Sequence, residues 1–338
     1  MSHQKITDAV EAAWDIRGSV RRLAGENENF LIELSDGEHF VLKLASEDSS
    51  RERILLEHVG VEAVFESGLG VALPRLVPDH EGSVAATLDI GGNSPRLGRL
   101  LQFVPGDAWG GKAPVSPDLL TELGNLIAQF SRALSSIDHP AAHISHNWDL
   151  AAAGTHRSSI RLVADNNRRR LLATQFERWA AAAQDLATVP AGLIHGDLND
   201  ENLLISDGKL TGVLDFGDCL HNPIICDLAI SLAYVLLDEP KPWQAGARVV
   251  EGYHAIRELS TLELELLYPL ICARLAVSLV ISAKRRQIDP ERAAWYVTEA
   301  RAWAFLKQHG DSDPTDIADQ LAALIDLRPY PDRGGSPS

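Results

Sequence analysis

The chain is predicted to fold as an α+β protein of two lobes: a β-rich N-terminal lobe over residues 1–104, a mainly helical lobe over 105–327, and a flexible tail at 328–338. Three observations lead there. Short β-prone runs crowd the first third, and long runs with helical periodicity fill the rest. With 338 residues, 45% of them apolar, the chain can bury two sizeable cores.

Taken in order, residues 19–23, 30–34 and 39–44 read as strands. The last two are joined by Ser35, Asp36 and Gly37, which is hairpin composition. Residues 49–66 have helical spacing, with Ile54, Leu55, Val59, Ala63 and Val64 on or near one face. Gly68-Leu69-Gly70 reads as the end of that helix. Strands follow at 71–77, 83–88 and 99–104, closed by Pro105-Gly106. Helices are expected at 117–137, 173–187, 224–237, 263–284 and 295–308. One β-like island interrupts them, residues 202–205 and 209–214 around Ser206-Asp207-Gly208, a strong hairpin signal. No internal repeat is present.

Charge and cysteine usage narrow the function classes. Lys and Arg number 31 against 47 Asp and Glu, a formal charge of −16. Such a surface repels phosphate backbones and anionic lipids, which argues against nucleic-acid and membrane partners and suits a cationic small molecule. Cys219, Cys226 and Cys272 have no C-x-x-C spacing, so neither a disulfide framework nor a structural zinc is expected. No basic stretch leads into an apolar core at the N-terminus, and the longest apolar run, 264–281, is broken by Pro269 and Arg274. No signal peptide or membrane span is expected, and the location implied is cytoplasmic.

The chemistry sits at the two open ends of the 202–214 hairpin. Before it stands His195-Gly196-Asp197-Leu198-Asn199-Asp200-Glu201-Asn202, and after it Asp215-Phe216-Gly217-Asp218. The first has the H-x-D-x-x-x-x-N spacing of a kinase catalytic loop, and the second begins with D-F-G. A hairpin returns the chain to its start, so Asp197, Asn202 and Asp215 are expected to converge. Asp197 is assigned the acceptor hydroxyl's proton, and Asn202 and Asp215 are assigned Mg²⁺ held jointly with substrate phosphates. His195 is expected to brace the loop. Lys43, mid-strand among apolar neighbours, is the cation for the nucleotide phosphates. Its carboxylate partner should come from the next helix, with Glu57 the best fit and Glu52 and Glu62 open. The polar turn holding Asn27 and Asn29 would cover the phosphates, and Gln102 and Phe103, where the lobes meet, complete the nucleotide-binding set. A P-loop, a dinucleotide fingerprint, G-x-S-x-G and H-E-x-x-H are all absent.

These residues resemble the aminoglycoside phosphotransferase and choline kinase family. Within it the hydroxylysine kinase branch is suggested by residues 194–202 and 213–218, with Trp148-Asp149-Leu150, Asp227-Leu228-Ala229, Tyr234 and Ala273-Arg274-Leu275. The resemblance implies a protein-kinase-like fold, Mg²⁺, and transfer of the γ-phosphate of ATP or GTP to the hydroxyl of a small, amine-bearing metabolite. Asp218 is followed almost at once by His221-Asn222-Pro223 and a helix, which leaves no room for a peptide-docking activation segment and favours a small acceptor. Candidate acceptor contacts are Trp148, Asp149, Asp218, Tyr253 and Arg274; Trp148 and Tyr253 could equally be core aromatics, and Arg274 an internal ion-pair partner. Asp200, Glu201, Asp218 and Asp149 would together draw an ammonium group, unless Asp200 and Glu201 merely cap the loop. An antibiotic O-phosphotransferase and a non-catalytic nucleotide-binding protein are the alternatives.

Overall fold

A computed structural model describes residues 3–23, 28–46, 50–91, 94–110, 115–291, 296 and 298–326. The expectations for Asn27, for Trp295 and for the 328–338 tail lie outside these residues. A helix missed in the sequence, α1 (His3–Trp14), precedes strands β1 (Ser19–Arg22), β2 (Asn29–Glu33) and β3 (His39–Leu44). Helix α2 (Arg51–Glu66) follows, then β4 (Leu76–Val77), β5 (Ala86–Leu88) and β6 (Arg96–Gln102). The antiparallel sheet runs β1-β2-β3-β6-β4, with β5 also on β6. Alternation along the strands sorts its faces. Phe30, Ile32, Leu42, Leu44 and Leu100 pack with Ile6, Val10 and Trp14 of α1 in a small core. The intervening residues, Lys43 on β3 and its cross-strand partner Arg99 on β6, point the other way, toward α2.

Helix α2 starts at Ser50, whose side chain accepts from the Arg53 N–H at 3.3 Å, and ends just before Gly68 at φ +72°. Its buried face is Ile54, Leu56, Glu57, Gly60, Val61 and Val64, whereas Leu55 and Val59, expected inside, are exposed. Burial therefore follows a stripe through a carboxylate, a pattern that apolar spacing alone does not mark.

The remaining chain holds β7 (Asp107–Ala108), α3 (Pro117–Leu134), two 3-10 stretches (Pro140–His143 and Leu150–Leu162), α4 (Asn166–Leu186) and β8 (Ala191–Ile194). Next come the hairpin β9 (Leu203–Ser206) and β10 (Lys209–Val213), a 3-10 turn (Phe216–Asp218) and β11 (Leu220–Pro223). It closes with α5 (Ile225–Val235), α6 (Pro242–Ile256), α7 (Thr261–Arg286), α8 (Glu299–His309) and α9 (Pro314–Ala322). The hairpin turns on Asp207 and Gly208, both at positive φ. Helices α3 and α6 meet at glycines: a Cβ at Gly124 would lie 1.9 Å from the Val249 carbonyl oxygen, so only glycine permits this approach.

Helix α7 carries the main core. Its N-terminus has a capping box in which Ser260 and Glu263 satisfy each other's backbone N–H. By length and composition alone it could cross a bilayer despite Pro269 and Arg274, but 89% of its most apolar stretch is buried inside the protein. Cys219, Cys226 and Cys272 are buried and unpaired.

Candidate active site

Two antiparallel ladders fix the site. Ile194 of β8 faces Leu220 of β11, and Leu203 of β9 faces Val213 of β10. Segments 195–202 and 214–219 run between those ladders and are held side by side. At Gly196 (φ +81°) a Cβ would lie 2.4 Å from the Asp218 carbonyl oxygen, so glycine is what lets the two segments pass.

The first segment is braced from behind. Buried Asp227 accepts the backbone N–H of His195 at 2.9 Å and of Gly196 at 2.8 Å, and the Ser231 hydroxyl donates to the Leu198 carbonyl at 2.5 Å. Burial pushes Asp227 up to about 7, opposed by those two N–H donors. His195 is fully buried with its ring edge on Phe216, centroids 4.6 Å apart. Its Nδ1 accepts the Asp197 N–H at 3.2 Å while Nε2 faces the Leu214 carbonyl at 3.1 Å, which assigns the ring proton to Nε2. Burial takes its pKa down to about 4, so the ring is a neutral brace between the two segments.

Asp197 stands in a ring of donors. Its Oδ1 accepts from Asn199 Nδ2 at 2.9 Å and Arg274 Nη2 at 2.6 Å; its Oδ2 accepts from Asn202 Nδ2 at 2.8 Å. With two lone pairs per carboxylate oxygen, Oδ1 is filled and Oδ2 keeps one position. Burial drives Asp197 up to about 7, with Arg274 opposing. Asp218 is raised to about 6, by burial first and by Asp215 second.

The second segment leans on the sheet. Asp215 sits in the left-handed region at φ 61°, and its Oδ1 receives Lys43 Nζ at 2.9 Å. That cation, ahead of any other group, holds Asp215 down at about 2. The expected Lys43–Glu57 pair is therefore corrected: Glu57 is spent on Arg99, Oε2 to Nε 2.5 Å. Glu62 binds Arg75 through both oxygens, and Glu52 lies by its own helix start near Ser50. Arg53, one turn before Glu57, donates to the carbonyls of Gly217 at 2.7 Å and Cys219 at 3.0 Å. Asn29 is the cross-strand neighbour of Lys43, and its buried Oδ1 has no hydrogen-bond partner among the described residues. Gln102 and Phe103 are exposed at the end of β6.

Several proposed acceptor contacts also brace the structure. Asp149 caps the 3-10 stretch after it and accepts from Asn222 at 2.9 Å and Ser145 at 2.7 Å. Tyr253 is fully buried between α3 and α6 with its hydroxyl 3.4 Å from Ser131. Arg274 binds Asp197, the Tyr234 hydroxyl and the Trp148 carbonyl, and its guanidinium lies 4.7 Å from the Trp148 ring centroid. Asp200 is buried against Arg301 at 2.9 Å. Of the four acids expected to draw an ammonium group, Asp200 alone carries an ion pair among the described residues, with Arg301, and Asp149 is held by neutral hydrogen-bond donors. Sequence reasoning missed the roles of Asp227, Arg53, Arg99 and Asn199, although Asp227 stood in the Asp-Leu-Ala triplet already singled out.

The donor set suits a hard cation. Both amide hydrogens of Asn202 are spent on Asp197, and no donor among the described residues reaches Asn202 Oδ1 or Asp215 Oδ2. No three His, Cys, Asp or Glu side chains among the described residues form a metal cage, so an ion here would share its ligands with phosphate oxygens.

A sequence model of the phosphotransferase enzyme family matches residues 19–264. Hydroxylysine kinase from Danio rerio is 26% identical over 316 residues, covering 89% of this chain and 89% of that protein. Homoserine kinase from Gluconobacter oxydans (strain 621H) is 25% identical over 289 residues, covering 84% and 86%. Among solved structures, amicoumacin kinase hAmiN in complex with AMP-PNP, Ca²⁺ and Ami aligns with a TM-score of 0.69 over 94% of this chain and 97% of that one, at 17% identity, a likeness of fold. The fold is that of a protein-kinase-like phosphotransferase. The chain belongs to the phosphotransferase enzyme family: it is a small-molecule kinase acting on a hydroxyl group.

Proposed function

We propose that this enzyme transfers the γ-phosphate of ATP or GTP to the hydroxyl of a small amine-bearing metabolite, an amino acid or amino alcohol of the hydroxylysine kind, in the cytoplasm. The observation that carries the reading is the convergence of Lys43, Asp197, Asn202 and Asp215 on one point from two halves of the chain. The donor lies between residues 1–104 and 105–327, with Lys43 on its phosphates. Asn202 and Asp215 would hold Mg²⁺, which when bound would neutralise phosphate charge. Asp197 Oδ2 takes the acceptor hydroxyl: the oxygen bonds to the γ-phosphorus, the bond to the β–γ bridging oxygen breaks, and the hydroxyl proton passes to the carboxylate. Arg274 fixes the carboxylate's rotation. Support for an amino-acid acceptor comes from two curated kinases, named for hydroxylysine and homoserine, that match most of this chain. The test is a panel of hydroxylysine, homoserine, aminopropanol and neutral sugars, each with MgATP and MgGTP, read by phosphorylated product. Efficient phosphorylation of the sugars with the amines ignored would overturn it.

A further inference from the structure

Lys43 and Arg99 are directly opposite on β3 and β6, so two cations share one face of the sheet. Helix α2 brings one deeply buried carboxylate to that face, Glu57, which is 2% exposed, and it goes to Arg99. Lys43 goes instead to Asp215. The two pairs adjoin: a Cβ at Gly217 would lie 3.2 Å from Asp215 Oδ1 and 3.8 Å from Arg99 Nη2. Glu57 Oε1 is buried without a hydrogen-bond partner among the described residues, so its acceptor capacity is unspent.

From this four-charge arrangement we infer that Arg99 is a positioning residue: by neutralising Glu57 it keeps the helix carboxylate from capturing Lys43, and leaves Lys43 and Asp215 registered for the donor. The inference rests on the reading of Lys43 and Asp215 given above. It makes the two pairs interdependent. Without Arg99, Glu57 is a buried charge lacking its partner, with Lys43 as the nearest replacement. Without Glu57, Arg99 turns to Asp215 and displaces Lys43. Removing both charges leaves the Lys43–Asp215 pair alone, since a buried ion pair replaced as a unit costs far less than one halved.

The test is MgATP binding by calorimetry, with MgGTP in parallel, on Arg99→Met, Glu57→Gln and the double variant, alongside kinetics with the best acceptor. Each single variant should weaken nucleotide binding about tenfold and raise the donor KM alike, with the acceptor KM unmoved; the double should return to within about threefold of wild type. If Glu57 works through Lys43 directly, the double will bind as poorly as Glu57→Gln or worse, and that result overturns the inference. Should Arg99→Met fail to fold, the double, which leaves neither charge unmatched, decides the matter by the same thresholds. Wild-type binding of neither nucleotide would refute the kinase reading itself, a different result from a wild-type protein that binds and a double variant that does not recover.

Discussion

Residues 195–202 are fastened by groups of their own half of the chain: the Asp227 carboxylate on two amides, the Ser231 hydroxyl on a carbonyl, the neutral His195 ring and the buried Arg274. Residues 215–218 are fastened by cations from the sheet and α2, Lys43 on a carboxylate and Arg53 on two carbonyls, with Arg99 alongside. The first support is short-range and almost dry; the second crosses from one half to the other. The segment proposed to receive the acceptor is thus held within one half of the chain, whereas the proposed grip on the donor joins both.

This contrast can be broken by substitution. Asp197→Asn, chosen over alanine so that Arg274 keeps an oxygen partner, should lower kcat by ~10²-fold or more while MgATP affinity by calorimetry stays within about threefold. Retention of a tenth of the wild-type kcat would remove Asp197 from the chemistry. Asp227→Ala orphans two buried N–H groups and should cost about 2–4 kcal/mol of unfolding free energy in a denaturant titration, with kcat falling and donor KM unchanged. Arg53→Met should do the reverse on a smaller scale, raising donor KM about threefold to tenfold with kcat near wild type. If Asp227→Ala moved donor KM as far as Arg53→Met, the division of labour between the two supports would be wrong. The smallest effect is expected at exposed Glu201. Glu201→Gln should raise the KM of a cationic acceptor about threefold at low salt, and the difference should fade near ~0.5 M salt; a neutral acceptor should show no change.

What the sequence made legible is what lies close along it. The hairpin and its two flanking motifs could be read because Asp197, Asn202 and Asp215 are bound together by a turn whose chemistry is local, Asp207-Gly208. Lys43 was readable as a charge inside an apolar strand. Its partner was not, because the choice between Glu57 and Asp215 depends on the β3–β6 register, which puts Arg99 beside Lys43. Two of the acids expected to draw an ammonium group have partners that the sequence does not mark, because Asp149 meets Asn222 and Asp200 meets Arg301 across long stretches of chain. Helices α1 and α9 are amphipathic but only 12 and 9 residues long, and α6 interrupts its apolar stripe with Gly246 and Gly252; the sequence reading passed over all three.

The family's matched stretch ends at residue 264, before Arg274 and Arg301, the guanidinium groups that meet Asp197 and Asp200. The two motifs that flank the hairpin, 195–202 and 215–218, therefore precede in the chain the helices whose guanidinium groups meet Asp197 and Asp200. Until α7 and α8 have packed, two carboxylates of the catalytic loop face burial without a counter-charge, which favours an open loop over a finished one. A chain lacking α7 and α8 would keep both motifs and leave Asp197 and Asp200 without these guanidinium partners.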